Sequence, residues 1–130
     1  MLKVEALLEF EKELKDLTER CENGAVIVVE GIRDRKSLEA LGIRGVIVEA
    51  SNKPADLVAE EVCKVSKDVF IFTDCDRSGL ILKSRLLKAF ECRGVIPDTK
   101  KVEKMLSLCR VRSVEALAVT YVKTLEFLKI

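Results

Sequence analysis

The sequence predicts a three-layer α/β/α sandwich around a central, mainly parallel sheet of about four strands, on three observations. Short β-branched or aromatic runs recur, Val26-Ile27-Val28-Val29 and Val69-Phe70-Ile71-Phe72 the clearest, and their unbroken apolar character fits strands covered on both faces. Segments with helical apolar spacing separate them. Strands alternating with helices imply a parallel sheet with helices on both faces and right-handed crossovers.

The chain opens on a helix. Val4, Leu7, Leu8, Leu14, Leu17 and Cys21 recur at helical spacing among acids and lysines, and Asn23-Gly24 ends the segment. Strand one covers Ala25 to Glu30. Asp34 is placed to cap the next helix, which runs through Leu41 to Gly42, a residue free to take the positive φ of a helix end. Strand two, Gly45 to Glu49, follows at once. Asn52-Lys53-Pro54 turns the chain into a helix with Leu57, Val58, Val62 and Val65 on its apolar side, proline being tolerated in a first turn whose amides lack partners. Strand three is Asp68 to Thr73. After Asp74-Cys75-Asp76 comes a helix with Leu80, Ile81, Leu86, Leu87 and Phe90 inward, stopped by Gly94; Val95-Ile96 then supplies a short fourth strand before Pro97. Two helices close the chain, the last capped by Ser113 and striped by Val114, Leu117, Ala118, Tyr121, Val122 and Leu125. No repeat or long linker divides the 130 residues. They read as one domain, with a leading helix over 1–24, a core over 25–96 and C-terminal helices over 97–130.

Composition narrows the function classes. A chain of this length buries enough surface for a proper core without disulfide staples. Its five cysteines are scattered singly with no Cys-x-x-Cys pair, and histidine is absent, which argues against zinc. They read as reduced, mostly small core residues of a cytoplasmic protein. No apolar run approaches the roughly 20 residues that span a bilayer, and the amino terminus is not a basic-then-apolar signal, so no membrane association is expected. A net charge of +1 is the main argument against a sequence-blind nucleic-acid coat. Nucleic-acid binding must then come from local patches, for which Arg33, Arg35 and Lys36, Arg77, Lys83 and Arg85, and Lys100, Lys101 and Lys104 are the candidates. Charged residues at 35%, with no glutamine and only Asn23 and Asn52 as asparagine, lean towards a thermophilic source.

Both clear strands run straight into acid: Glu30-Gly31 after strand one, and Asp74-Cys75-Asp76-Arg77-Ser78-Gly79 after strand three. With strand one between two and three, the strand order reverses between these motifs, and ligands in such sheets bind beyond the carboxyl ends at that reversal. Three carboxylates then converge. Like charges that close raise one another's pKa, and a hard divalent cation is their natural occupant.

These residues also carry a family resemblance. Glu30-Gly31-Ile32-Arg33-Asp34 after a hydrophobic strand resembles the Glu-Gly-x-x-Asp element of the Toprim domain shared by topoisomerases, primases and certain nucleases, and Asp74-Cys75-Asp76-Arg77-Ser78-Gly79 resembles its Asp-x-Asp element. The resemblance spans about Ala25 to Gly94 in the right order; Cys75 stands where the family often has proline, at a spacer position. It implies a Rossmann-like Toprim fold in which Asp74 and Asp76 hold magnesium, with manganese as substitute, and Glu30 helps hold it or acts as general acid or base. Without histidine, a carboxylate, a lysine or metal-bound water must move the proton, and a glutamate near two aspartates is suited to that work.

Around this core, Arg77, Ser78 and Gly79 open a helix whose free amides and positive dipole end favour a phosphate, and Arg33 and Lys83 add charge. Asp34, Glu49 and Lys53 are accessory candidates. Each has an ordinary alternative: a helix cap, a solvated strand-end acid and a surface lysine. Tyr121 falls on an apolar stripe outside the acidic motifs and reads as packing rather than as a nucleophile.

The expected function is magnesium-dependent chemistry on nucleic-acid phosphodiesters, by a small Toprim nuclease acting on RNA or DNA and similar to the Toprim nucleases of ribosomal-RNA maturation. Topoisomerases and primases need further domains, and a partner protein supplying substrate binding is compatible with this reading. Three rivals stand beside it. A haloacid-dehalogenase-like phosphatase also has Asp-x-Asp after a strand, though usually the first, with long sequence behind it. A receiver-like phosphoacceptor calls for acids after strand one and an aspartate after strand three, whereas this chain has Glu30 and then a pair. A non-catalytic nucleic-acid-binding subunit would keep the metal site within a larger complex. Oligomeric state is left open.

Overall fold

The computed structural model describes residues 1–129. Its sheet consists of parallel strands β1 (Val26–Val29), β2 (Val46–Glu49) and β3 (Val69–Phe72), in the order β2-β1-β3. The helices are α1 (Val4–Glu22), α2 (Ile32–Ala40), α3 (Ala55–Cys63), α4 (Arg77–Glu91), α5 (Lys100–Cys109) and α6 (Glu115–Leu128).

Strand alternation divides the core. Ile27, Val29, Phe70 and Phe72 point into one cluster with Phe10 and Leu17 of α1, Leu38 of α2, Met105 of α5 and Leu117 of α6. Val26, Val28, Val69 and Ile71 point the other way, against Val58 and Val62 of α3 and Leu86 and Phe90 of α4. Every residue of β1 and β3 is buried, as continuous apolar runs require when both sheet faces are covered. Strand β1 pairs in register with both neighbours, so Val29 lies level with Glu49 on one side and Phe72 on the other. All the strands therefore end together.

The expected fourth strand is reduced to one parallel bridge between Phe70 and Asp98. The Ile71 amide donates to the Asp98 carbonyl (3.0 Å) and the Asp98 amide to the Val69 carbonyl (2.8 Å). Pro97 has no amide to extend a ladder, so pairing begins after it and Ile96 is left 84% exposed. Helix stripes are also narrower than the apolar spacing suggests. Leu8, Leu57, Leu80, Ile81 and Val122 are exposed, because each helix buries only the positions that meet the sheet or a neighbouring helix, and Val65 is exposed because α3 ends before it.

Ser113 does not cap α6; Val114 holds that position, and its amide is bonded to Asp74. Asp98 caps α5, accepting from the Lys100 and Lys101 amides (2.9 and 3.0 Å). Two lysines expected to serve nucleic acid instead tie α5 to α1. Lys101, only 8% exposed, bonds Glu13 (2.7 Å) and Asp16 (2.8 Å), and Lys104 reaches Glu13 (3.0 Å). Of the cysteines, all free, Cys21 and Cys109 are buried as expected and burial pushes both thiols up to about 11; Cys75 and Cys92 are exposed. Among the described residues no helix is long and apolar enough to cross a membrane.

Candidate functional site at the carboxyl ends of β1 and β3

Chain order and sheet order together place the strand reversal between β1 and β3: the chain leaves β1 for β2 through α2, then crosses back through α3 to β3 on the other side. Glu30 directly follows the end of β1 and Thr73-Asp74 the end of its neighbour β3, so both acidic motifs leave the sheet at the reversal.

The Asp74-Cys75-Asp76 turn is held from two sides. Asp74 Oδ1 accepts the Val114 amide (2.8 Å), and the Cys75 amide donates to the Arg112 carbonyl (2.7 Å), so the segment before α6 grips the turn. Asp76 Oδ1 accepts the Gly79 amide (2.7 Å) as the cap of α4. Gly79 is dictated by contact: a Cβ there would lie 2.0 Å from the Asp74 carbonyl oxygen. The Leu80 amide bonds the Asp76 carbonyl, which leaves the Arg77 and Ser78 amides of the first turn open to an anion.

Asp34 lies in the first turn of α2, where its Oδ2 accepts the Gly31 amide (3.2 Å). Its capping role is real, though exercised backwards onto the turn rather than from the residue before the helix. The side chain is 8% exposed, and its carboxyl is pushed up to about 6, first by burial and then by the charges of Asp74, Glu30 and Glu115, against the lowering effect of the Gly31 amide. Four carboxylates thus share one neighbourhood. Glu115 opens α6 and has no counterpart in the sequence reading; its only signal, an acid in a first helical turn, says nothing about which strand end it meets. Ser37 was likewise missed. Buried in α2, it donates to the Val114 carbonyl (2.8 Å) and accepts from the Ala118 amide (3.2 Å), fixing α6 where Val114 reaches Asp74.

Glu49, Lys53 and Lys83 have ion-pair partners of their own. Glu49 ends β2 in an ion pair with Arg35 (2.7 Å), whose guanidinium also donates to the Ile47 carbonyl (2.7 Å). Lys53 is 3.8 Å from Glu61 at the rim of a cleft of about 620 Å³ that also takes in Glu30, Arg77, Ser78 and Arg85. Lys83 lies on the opposite side of α4, 3.8 Å from Glu103. Arg33 is exposed on α2. Tyr121 packs on Phe10 with ring centroids 5.3 Å apart and donates to Glu11 (2.6 Å); burial and that carboxylate push its hydroxyl up to about 12.

Among the described residues, no three His, Cys, Asp or Glu side chains are gathered closely enough to enclose an ion. The donors at the strand ends are nevertheless all carboxylates, with Arg77 beside them. Magnesium is ordinarily held by one or two carboxylates, with water and substrate phosphate completing its shell, so this chemistry fits that ion.

Fold and site define an α/β domain with a parallel sheet and an acidic cluster at its strand reversal. Within that class the chain belongs to the UPF0292 protein family. It is 36% identical over 121 residues to the UPF0292 protein of Methanosarcina barkeri, covering 92% of this chain and 84% of that one. Identity to the Methanocaldococcus jannaschii member is 40% over 97 residues, covering 74% and 73%, and to the Archaeoglobus fulgidus member 34% over 118 residues, covering 88% and 90%. No family model matches the chain. A solved structure described as a putative protein from Aquifex aeolicus superposes with a TM-score of 0.70 at 22% identity, over 81% of this chain and 94% of that one, a likeness of fold alone.

Proposed function

We propose that the chain is a small Toprim-type protein, with the single bridge at Asp98 as the vestige of that fold's fourth strand, and that it carries out magnesium-dependent cleavage of nucleic-acid phosphodiesters. The observation that carries this reading is the adjacency of β1 and β3, whose carboxyl ends lead into Glu30 and into the Asp74–Asp76 turn at the strand reversal. Asp74 and Asp76, with Glu30, would hold magnesium, and manganese in its place. The ion supplies stabilisation of charge on phosphoryl oxygens. The remaining work falls to the chain's own groups. Arg77 and the open amides of the first turn of α4 receive the phosphate. Glu30 carries the proton. Gly79 and the Val114 amide keep the aspartates in position, and the Gly31 amide holds Asp34 beside them.

Incubating the protein with labelled RNA and DNA, in magnesium, manganese or chelator, tests the reading. Cleavage should require the metal and be lost in Asp76→Asn. Glu30→Gln should retain fold and some metal binding while slowing cleavage by roughly 10²–10⁴. Metal-independent binding without turnover would favour a non-catalytic nucleic-acid-binding subunit. Hydrolysis of a small phosphate ester that Asp74→Asn abolishes at any metal concentration would favour the Asp-nucleophile phosphatase.

A further inference from the structure

A second cavity, of about 270 Å³, lies between α4 and α5 and reaches the proposed metal-binding residues at Asp74. Its walls are mainly apolar, with Leu80, Val102, Leu106 and Val111 among them, and Lys83, Glu103 and Ser107 add a few polar groups. That is the make-up of a ligand pocket, at a size for one ring system rather than a whole nucleotide, since drug-sized ligands occupy roughly 300–1,000 Å³. The cavity is not isolated. A shallow groove of about 580 Å³ over the start of α4 shares Cys75 and Leu80 with it, and shares Arg77, Ile81 and Arg85 with the Glu30 cleft. Asp76 and Arg112 also line this groove. The three openings therefore lie side by side around the start of α4, and Asp76 lines the middle one.

The character of the groove selects its occupant. Leu80 is 51% exposed and Ile81 43%, although their positions in an amphipathic helix would normally face the core. They line the groove together with Arg77, Arg85 and Arg112, which form no ion pair among the described residues. A duplex presents its phosphates and hides its bases, so it would meet the arginines and leave the apolar side chains wet. A single strand presents both phosphates and unstacked bases.

Resting on the function proposed above, we infer that the substrate crosses α4 as a single strand and that the pocket between α4 and α5 receives the base next to the phosphate at Asp74 and Asp76. Backbone phosphates follow Arg112, Arg77 and Arg85. Lys83, Glu103 and Ser107 face the base edge and set base preference.

The test uses short fluorescent oligonucleotides, RNA and DNA, single-stranded and duplex, each also with one abasic position moved along the strand, binding in magnesium to the Glu30→Gln protein, whose slowed cleavage leaves the strand whole during the titration. The single strand should bind more tightly than the duplex, and one abasic position, adjacent to the cleavage point, should weaken binding about 5- to 150-fold, the range lost with one stacked base. Ser107→Trp, an exposed position that fills the pocket, should weaken the unmodified strand to the level of the abasic one and abolish the difference between them. A uniform abasic scan, or duplex bound as tightly as single strand, would overturn this inference while leaving metal-dependent cleavage and its loss in Asp76→Asn intact. No binding of any nucleic acid would overturn both.

Discussion

Asp34 combines two roles that the sequence presents as alternatives. It bonds the Gly31 amide at the start of α2, and it lies buried among Glu30, Asp74 and Glu115. Its carboxyl ordinarily titrates at 3.8 and is raised to about 6 in the fold. The folded state therefore binds more protons than the unfolded chain between those values, and stability falls as pH rises through that window, with the full penalty above about 6. Two units correspond to about 2–3 kcal/mol as an upper bound. Asp34→Asn keeps an acceptor for Gly31 and cannot ionise. It should match the parent near pH 4 and be more stable by up to about 2 kcal/mol near pH 7.5, read by urea unfolding at both pH values. If magnesium occupies the cluster, adding it should stabilise the parent more than the variant. Gly79 makes the second prediction at this scale. A Cβ 2.0 Å from the Asp74 carbonyl oxygen cannot be absorbed by a side-chain shift, because the obstacle is backbone. Gly79→Ala should cost about 1–3 kcal/mol and displace the aspartate turn, seen as a lower urea midpoint together with weaker magnesium binding by calorimetry. Part of this site was legible from residue order: a strand ending in Glu30, a strand ending in Asp74-x-Asp76, a glycine after each. Glu115 and Ser37 were not legible, because their parts depend on α6 docking on α2, a contact between segments some eighty residues apart.

At the scale of elements, local rules explain most of the chain and fail where tertiary contact decides. The three strands formed where β-branched and aromatic runs predict them, and Pro97 explains why a fourth run stayed unpaired. Exposure of Leu57, Leu80 and Ile81 was beyond reach, because spacing identifies an apolar face without saying how much of it the neighbours cover. Charge was the least legible. Lys101 looks like a surface cation in the sequence, yet it is enclosed between α5 and α1, where it and Lys104 hold the Glu13 carboxyl below its usual range. That depressed carboxyl contributes stability above its ordinary value of 4.5, lost as pH falls through the lower folded value, the reverse of the sign for Asp34. Lys101→Met takes one of its two lysines from Glu13, 14% exposed, and leaves Lys104 at 3.0 Å. Breaking a fully buried pair costs about 3–5 kcal/mol, and the loss here should fall below that range because Lys104 stays with Glu13 and Asp16 is half exposed. Thermal unfolding should show that loss near neutral pH and little of it once Glu13 is protonated.

For the whole molecule, 23 basic and 22 acidic residues nearly cancel, so long-range attraction to a polyanion is weak and position decides which cations bind. Ion pairs sort them. Arg20 is shared between Asp68 and Asp98 while lying over the Phe70 ring, Arg35 is held by Glu49, and Lys101 and Lys104 face α1. Arg77, Arg85 and Arg112 border the groove beside the aspartates without such partners among the described residues. A phosphate bound by one of these arginines releases condensed counterions without first breaking an internal pair, whereas recruiting Lys104 would forfeit its contact with Glu13. In fluorescence-polarisation titrations with a single-stranded oligonucleotide at rising potassium chloride, Arg85→Ala should lower the slope of log affinity against log salt by about one unit. Lys104→Ala, an equal change in net charge, should leave the slope unaltered. Equal losses from the two variants would mean that the protein attracts nucleic acid by total charge alone, and the groove across α4 would then have no special claim as its track.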